Sequence, residues 1–250
     1  MIITLTTDFG SSDPYVGIMK GVILGIAPEA RLIDVSHGVA SYDVMEGAFV
    51  LSAAVRYFPA GTVHLSVVDP GVGSERRPIA ASDGRHTFVG PDNGLFSLCL
   101  GDDAELHHIT NEEYFLKPVS DTFHGRDIFA PVAARLAMGA TLESVGPRVY
   151  DFLRLIPPSG PQTILHVDRF GNLVTSLRPE DLDVDSVIRI AGHDVGTRRT
   201  AYSEGASGEL FLIAGSSGYL EISMNRASAA DHLEVGRGME LNVETARQKQ

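Results

Sequence analysis

The sequence contains almost no cysteine and no tryptophan. Cys99 is the single thiol among 250 residues, so a disulfide within the chain is excluded. Its neighbours Leu98 and Leu100 are apolar, and a cysteine in such surroundings acts as a small hydrophobic side chain, so we predict packing rather than catalysis for Cys99. A chain without disulfides fits a reducing compartment.

Long apolar runs and an excess of basic residues are also missing. No stretch approaches the roughly 20 apolar residues needed to cross a bilayer, and the N-terminus lacks the basic segment of a signal peptide. We therefore expect a cytoplasmic protein that does not contact membranes. The chain has 20 Lys and Arg against 32 Asp and Glu, for a net charge of -12. Because proteins that bind nucleic acid usually carry a basic face, we expect no nucleic acid partner.

The rest of the composition is that of a folded globular protein. Hydrophobic residues make up 44% and charged residues 21% of the chain, and 250 residues suffice for one large domain or two small ones. Strand and helix patterns alternate in the first half, which predicts an α/β domain with a mainly parallel sheet and flanking helices. We expect strands at 2–6, from 32, and at 62–68, 79–82, 87–89 and 106–109, and helices at 14–26, 45–58 and 126–138.

The second half has a different pattern. Residues 139–162 contain four prolines and three glycines, which predicts a linker between a domain at 1–138 and another at 163–250. Short strands follow, with a spacing typical of a small all-β barrel. We expect them at 164–167, 173–176, 187–190, 210–214, 219–223 and 239–243.

Polar residues follow the predicted strands of the first half. Asp8 comes after the first strand, His37 after the second, and Asp69 and Arg76 after the third. Open α/β sheets bind ligands outside the carboxyl ends of their strands, so we expect these turns to converge on one site. Each residue also has a simpler interpretation: Asp8 and His37 as turn residues, and Asp69 with an arginine as a surface ion pair. His124, just before the third helix, suits a cleft or a capping segment.

Two common nucleotide-binding patterns are excluded. Gly71 and Gly73 begin a glycine-rich turn, but Arg76 occupies the third glycine position and no helical pattern follows. The chain also has no Gly-Lys-Ser/Thr of a P-loop. Asp13 has a structural interpretation as well, because an aspartate before Pro14 suits the cap of the first helix.

Metal ligation is an alternative for the same region. A metal-dependent phosphoesterase would draw its ligands from carboxylate, imidazole and amide groups. The residues that qualify are Asp8, His37, His64, Asp69, Asn93 and His124. Against this alternative, the sequence has no tight Asp-x-His pair.

The second half offers an aromatic residue near an asparagine. Asp168 to Asn172 lies between two predicted strands, and further polar residues flank the strand at 219–223. An aromatic ring and an asparagine together can stack on a purine base and hydrogen-bond to it. An ordinary hairpin loop would explain the first segment equally well.

Taken together, these segments resemble the S-adenosylmethionine hydrolases that form adenosine, also called SAM hydroxide adenosyltransferases, which are related to fluorinase and chlorinase. The matching segments occur in the family's order through almost the whole chain. They are Thr7–Gly10, Tyr42–Ala48, Asp69–Gly73, Gly90–Leu95, Phe123–Asp127, Asp168–Asn172 and Ser217–Leu220.

The resemblance implies a fold, an assembly and a reaction. The fold would be an α/β domain linked to a β-barrel, in a homotrimer with sites between subunits. The reaction would convert S-adenosyl-L-methionine and water to adenosine and L-methionine without a metal or cofactor. The family's catalytic triad falls on Asp69, Arg76 and His124. Fluorinase and chlorinase lack this full triad, which argues for water as the nucleophile, and Gly125 in place of fluorinase's halide-binding serine argues against fluoride. A non-catalytic adenosine-binding module is a further alternative.

The resemblance also implies substrate contacts. Asp8 would contact the ribose and Asp13 the methionine end, while the adenine side would come from the second half. The full set of predicted substrate-binding residues is Asp8, Asp13, Tyr42, Phe123, Asp168, Phe170, Asn172, Tyr202, Ser216, Ser217, Glu221, Met224, Asn225 and Arg226. Ser217 stands where fluorinase has an arginine beside its serine, so the resemblance does not assign the contact to the methionine carboxylate.

Overall fold

The computed structural model describes residues 1–155 and 162–244. Residue contacts divide the chain into two units, Met1–Pro157 and Pro158–Gln250. The first unit has strands β1 (Ile2–Thr7), β2 (Arg31–Ser36), β3 (Val63–Val67), β4 (Pro78–Ser82), β5 (Thr87–Pro91), β6 (Glu105–His108) and β7 (Arg148–Val149), and helices α1 (Tyr15–Ile26), α2 (Val44–Val55) and α3 (Ala130–Ala137). A π-helical turn at Gly125–Phe129 runs directly into α3, and 3-10 turns lie at Glu112–Tyr114 and Glu143–Val145.

The seven strands form one mixed sheet in the order β2-β1-β3-β5-β4-β6-β7. β1 pairs in parallel with β2 and β3, and β3 pairs in parallel with β5. β4 is antiparallel to β5 and β6, and β6 is antiparallel to β7. The prediction of a mainly parallel sheet therefore describes only half of it. Residues 83–86 are too short to form the crossover that a parallel β4–β5 pair would need, so these strands make a hairpin.

The first unit extends beyond the predicted boundary at residue 138. Val149 of β7 pairs with Leu106 of β6, which ties this stretch to the edge of the sheet. Residues 139–155, predicted as linker, therefore belong to the first unit. The remainder of the predicted linker is at 156–162, and Pro157, Pro158, Gly160 and Pro161 lie outside the described residues.

Apolar side chains cover both faces of this sheet because neighbouring residues of a strand point to opposite sides. On β5, Val89 joins the core formed with α1 and α3, whereas Phe88 joins the core that includes Leu51 and Val55 of α2. Cys99 packs against the second core, as predicted, and burial raises the pKa of its thiol to about 12. Among the described residues, no helix is long and apolar enough to span a membrane.

The beginnings of the first two helices differ from the predictions. α1 starts at Tyr15 with Pro14 in the capping position, so the prediction that Asp13 caps this helix is wrong; Asp13 is exposed instead. α2 begins at Val44, where the side chain of Asp43 accepts a hydrogen bond from the N–H of Glu46. An Asp three residues before a Glu suits such a cap, and it shifts the start of this helix by one residue.

The described part of the second unit, residues 162–244, consists of short antiparallel strands, one α-helix and 3-10 turns at Pro179–Asp181 and Tyr202–Glu204. The strands and the helix are β8 (Ile164–Val167), β9 (Leu173–Thr175), β10 (Val187–Ile190), β11 (His193–Val195), β12 (Leu210–Ala214), β13 (Leu220–Met224), α4 (Ala229–Leu233) and β14 (Asn242–Glu244). One sheet has the order β12-β13-β9-β8 and another the order β11-β10-β14. Leu173 and Ile222 of the first sheet share a buried core with Ile188 of the second. These sheets confirm a β-rich second unit, while closure into a barrel stays a prediction.

A buried histidine makes the stability of the first unit depend on pH. His64 on β3 is fully buried, and its Nδ1 is 2.7 Å from the hydroxyl of Thr4. Its ring lies 5.0 Å from that of His86, between centroids. Burial and the charge of His86 lower the pKa of His64 to about 4.

We predict that lowering the pH from 6.5 towards 4 reduces the free energy of unfolding. The unfolded chain takes up a proton at His64 near pH 6.5, whereas the folded chain does so only near pH 4. Between those values the unfolded state binds more protons, which costs stability up to about 3 kcal/mol. Urea unfolding across this range tests the effect, with His64→Asn as the variant that cannot titrate. Equal slopes of stability against pH in the two proteins would contradict the assignment.

Candidate active site

The loop after β3 carries a buried ion pair. Arg76 donates hydrogen bonds to Asp69 from Nε to Oδ1 at 3.1 Å and from Nη2 to Oδ2 at 2.5 Å. The side chains of Arg76 and Asp69 are only 7% and 5% exposed, so the interpretation as a surface pair is wrong. Burial raises the pKa of Asp69, and the guanidinium opposes this rise. Both oxygens of Asp69 accept hydrogen bonds from Arg76, which is the bidentate geometry of a carboxylate paired with a guanidinium.

His124 joins this pair from a distant part of the chain. Nη2 of Arg76 lies 3.2 Å from Nδ1 of His124. A guanidinium can only donate, so Nδ1 must accept, and the proton of the neutral ring is on Nε2. Burial and the charge of Arg76 both lower the pKa of His124, which keeps the ring neutral at neutral pH. The structure therefore brings together the three residues of the predicted triad.

Backbone contact and a buried carboxylate position the loops of this cluster. Gly73 has a φ of +76°, and a Cβ there would overlap the carbonyl oxygen of Asp121, so the loop after β3 packs directly on the segment that leads to His124. Asp127 is fully buried and accepts hydrogen bonds from Nε of Arg126 at 2.6 Å and from the N–H of Ser120 at 2.8 Å. That carboxylate ties the same segment to the start of the π-helical turn.

One donor of the cluster is unused. Nη1 of Arg76 is buried and has no hydrogen-bond partner among the residues that the structure describes. An unpaired guanidinium N–H in a buried position is costly unless it meets a small polar molecule or an anion. The cluster therefore combines a fixed positive charge with a guanidinium donor that neither Asp69 nor His124 uses.

Asp8 lies at the end of β1, as predicted. Its Oδ2 accepts a hydrogen bond from the backbone N–H of Tyr42 at 2.9 Å. Tyr42 has a φ of +70° and its side chain is 73% exposed. A carboxylate has about four acceptor positions, so Asp8 keeps capacity for further donors such as the two hydroxyls of a ribose.

An aromatic cluster adjoins His124. The rings of Phe9, Tyr15 and Phe123 meet edge to face, with centroids 5.2 to 6.0 Å apart. The guanidinium of Arg126 lies 5.2 Å from the centroid of Phe123. The predicted residue Phe123 therefore belongs to an aromatic cluster and directly precedes His124 in the chain.

The second unit contains a cavity of about 600 Å³. Its lining residues are Asp168, Phe170, Asn172, Tyr202, Met224, Arg226, Ala227 and Ser228. Six of these were predicted as substrate-binding residues. Ala227 and Ser228 were not predicted. The sequence does contain a signal for Ser228, because a serine three residues before Asp231 is typical of a helix start, and Ser228 caps α4.

Asp168 organises the edge of this cavity. Its Oδ1 accepts hydrogen bonds from the N–H groups of Phe170 and Asn172 at 2.8 and 2.9 Å, and its Oδ2 accepts one from Nδ2 of Asn172 at 2.8 Å. Because the amide nitrogen of Asn172 is fixed in this way, its oxygen is a defined acceptor. The ring of Phe170 is 76% exposed, which suits a flat ligand that stacks on it.

The remaining predicted residues of the second unit are not among the lining residues. Glu221 is buried and accepts a hydrogen bond from the hydroxyl of Tyr202 at 2.7 Å; burial raises the pKa of both groups. Nδ2 of Asn225 donates to the carbonyl of Gly205 at 2.8 Å. Ser216 and Ser217 lie in the turn before β13. Contact of these four side chains with a ligand stays a prediction.

The proposed metal ligands do not form a common site. His64 contacts Thr4, and the side-chain amide of Asn93 donates to the carbonyl of Val68. Within residues 1–155 and 162–244, no three His, Cys, Asp or Glu side chains lie close enough to hold one metal ion. The phosphoesterase alternative therefore lacks the donor set on which it depended.

Comparisons with known proteins identify relatives of both units. Residues 3–146 match the SAM hydroxide adenosyltransferase N-terminal domain, and residues 162–242 match the C-terminal domain. A Salinispora tropica protein named (R)-S-adenosyl-L-methionine hydrolase is 41% identical, over 96% of this chain and 97% of its own. A protein of the same name from Thermus thermophilus is 39% identical, over 95% and 97%. A solved structure of an uncharacterized conserved protein from Thermotoga maritima is 36% identical, with a TM-score of 0.89, and covers 98% of this chain and 100% of that one. Fluorinases are more distant, at 26% identity.

We predict that Gly73→Ala destabilises the first unit more than Gly84→Ala does. Both glycines have a positive φ, of +76° and +82°, but a Cβ at Gly84 meets nothing within 4 Å. The backbone strain is therefore common to both variants, and only Gly73→Ala adds the overlap with Asp121. We expect an additional loss of about 1 to 3 kcal/mol in the free energy of unfolding. Equal losses would show that the two loops are not in close contact.

Proposed function

The chain belongs to the SAM hydroxide adenosyltransferase family, and from this premise we propose that it hydrolyses S-adenosyl-L-methionine to adenosine and L-methionine. The names of its relatives specify the R configuration at sulfur, and we propose the same epimer as substrate here. The observation that carries the proposal is the buried cluster of Asp69, Arg76 and His124 with an unused donor on Arg76. This cluster supplies a fixed positive charge and a hydrogen-bond donor for a water molecule that acts as the nucleophile.

Water must be activated because it is a poor nucleophile, with a pKa near 15.7. The positive charge of Arg76 stabilises hydroxide next to Nη1, and Asp69 holds the guanidinium in a fixed orientation. Nδ1 of His124 is taken by Arg76, so the ring offers an N–H at Nε2 rather than a free base. This arrangement favours the positive charge of Arg76 as the factor that activates the water. His124 then donates a hydrogen bond that orients the nucleophile, and the proton lost by the water goes to solvent.

The reaction is an in-line displacement at C5′ of the substrate. The oxygen–C5′ bond forms as the C5′–S bond breaks, and the electron pair of that bond goes to sulfur, which leaves as the neutral thioether of methionine. Hydroxide and sulfonium lose their opposite charges in the transition state. A pocket with little water favours that transition state over the separated ions. Holding the nucleophile at C5′ contributes up to about 7–11 kcal/mol of the acceleration.

The nucleoside has separate recognition groups in the two units. We assign the ribose hydroxyls to Asp8 and the adenine ring to the cavity lined by Phe170 and Asn172. Asp13 is exposed and has no role in capping α1, which is compatible with its predicted place near the methionine end.

We further propose a homotrimer in which the first unit of one subunit and the second unit of its neighbour complete each site. Sedimentation of the purified protein tests this assembly, and a monomer at assay concentration would rule it out.

Chromatography of the products tests the activity. The purified protein is incubated with each sulfonium epimer of S-adenosyl-L-methionine, with and without halide, and in an excess of chelator. We expect adenosine and methionine from the R epimer at a rate that neither halide nor chelator changes. A halogenated nucleoside, or loss of activity in chelator, would contradict the proposed nucleophile or the absence of a metal. Adenosine binding without turnover would indicate a non-catalytic module.

Arg76→Ala and His124→Ala are predicted to reduce turnover at least about a hundredfold, because each removes a group that acts on the nucleophile. Adenosine affinity is expected to stay within about twofold, since neither residue is assigned to the nucleoside. Arg85→Ala is the control: Arg85 lies in the β4–β5 turn and donates to the carbonyl of Phe58. Unchanged rates in both the Arg76 and the His124 variants would refute the triad.

Asn172→Ala is predicted to weaken adenosine binding about tenfold, because the base loses one hydrogen-bonding partner in a buried position. Calorimetry of adenosine binding measures this effect. The control is Asn111→Ala, which removes the cap of a 3-10 turn in the first unit. An affinity unaltered by Asn172→Ala would exclude this residue from base recognition.

A further inference from the structure

His37 was predicted to be a simple turn residue, but its side chain connects three elements of the first unit. Nδ1 of His37 is 2.8 Å from the hydroxyl of Thr7 at the end of β1. Its Nε2 is 3.1 Å from Oδ1 of Asp34 on β2, and Oδ2 of Asp34 accepts from Nζ of Lys20 on α1 at 2.7 Å. The carbonyl of His37 also accepts the N–H of Gly10 at 2.8 Å.

A hydroxyl, an imidazole and a carboxylate in line are the groups of a nucleophilic triad, but burial excludes that role here. Thr7 is fully buried, and its Oγ1 also accepts the N–H of Phe9 at 3.2 Å. No substrate carbon can approach this oxygen. The hydrogen bonds therefore hold the backbone in place rather than activate a nucleophile.

Asp8 is the residue that this network encloses. It lies between Thr7 and Gly10, both of which are bound by His37. The carboxylate of Asp8 in turn accepts the N–H of Tyr42, which belongs to the loop that His37 begins. Gly10 donates to the main-chain carbonyl of His37, and Thr7 contacts its imidazole. With the bond from Tyr42 to Asp8, these contacts close a ring between the end of β1 and residues 37–42, and the imidazole contributes the contact next to Asp8.

We propose that His37 is a positioning residue that sets the Asp8 carboxylate for the nucleoside hydroxyls. The inference rests on the proposed function only in assigning Asp8 to the ribose. A misdirected carboxylate weakens binding of the nucleoside portion in substrate and product alike. It leaves the cluster around Arg76 intact, so His37 affects KM and product affinity rather than kcat.

The two ring nitrogens of His37 lie beside different groups, and this makes them distinguishable by mutation. Burial opposes ionisation of Asp34, but hydrogen bonds from Lys20 and His37 hold the pKa of Asp34 below its ordinary value. Nε2 of His37 lies on the side of Asp34, and Nδ1 lies on the side of the Thr7 hydroxyl. The amide of an asparagine ends where Nδ1 lies, whereas that of a glutamine ends where Nε2 lies. His37→Asn therefore keeps the contact with Thr7, and His37→Gln loses it.

The experiment compares four variants by calorimetry with adenosine and by steady-state kinetics. We expect His37→Ala and His37→Gln to weaken adenosine binding at least tenfold and to raise KM by a similar factor, with kcat within threefold of the parent. His37→Asn is expected to stay within threefold in all three quantities. The matched control is His107→Ala, because the two ring nitrogens of His107 likewise lie beside polar atoms of different residues, the carbonyl of Gly146 at 2.8 Å and Oε1 of Glu105 at 3.0 Å. It lies on β6, four strands from β1.

Adenosine affinities that are unchanged in His37→Ala would overturn the inference, as would an equal loss in His107→Ala, which would indicate general destabilisation. Better binding in His37→Gln than in His37→Asn would also overturn it. Failure of the hydrolase proposal is a separate result, because adenosine binding is measured without turnover. A parent protein that binds adenosine but releases none from S-adenosyl-L-methionine would sink only the proposed activity.

Discussion

The buried ion pair between Asp69 and Arg76 is the interaction on which the site depends. Removing two charges from water costs several kcal/mol per ion, and only close bidentate geometry offsets that cost. The pair has this geometry, and the ring of Phe129 lies 5.3 Å from the guanidinium carbon. A guanidinium held in this way donates from Nη2 to His124 and keeps Nη1 as a donor for a small molecule. Its charge does not have to reorganise when hydroxide forms, which is the property that electrostatic catalysis requires.

The sheet brings these groups to one place because β1, β2, β3 and β5 run in the same direction. Asp8 and Asp69 follow β1 and β3, which are neighbours, and His37 follows β2 on the other side of β1. The connection between Asp8 and His37 then extends the site outward from the ion pair. In the proposed reaction, the cluster around Arg76 activates the nucleophile, and the neighbouring end of β1 orients the nucleoside.

The order of strands and helices along the first half could be predicted from hydrophobic periodicity, as could the gathering of polar turns at one edge of the sheet. The direction of β4 could not, because it follows from a four-residue connection rather than from the pattern of the strand itself. The prediction that Asp13 caps α1 was wrong because this helix starts one residue further along the chain than expected, at Tyr15. The burial of Asp69 and Arg76 depends on packing across the fold, and 48 positions separate Arg76 from His124; only the family resemblance grouped them. The network of His37 needs three elements at once, so local sequence favoured a turn.

The most direct test of the account is hydrolysis in water enriched with oxygen-18, followed by mass spectrometry of both products. Attack of an activated water at C5′ places the heavy isotope in the 5′-hydroxyl of adenosine and leaves methionine unlabelled. Adenosine without the label would contradict the central claim. A labelled amino-acid product released together with methylthioadenosine would equally contradict it, because the oxygen would then have attacked the carbon chain of methionine.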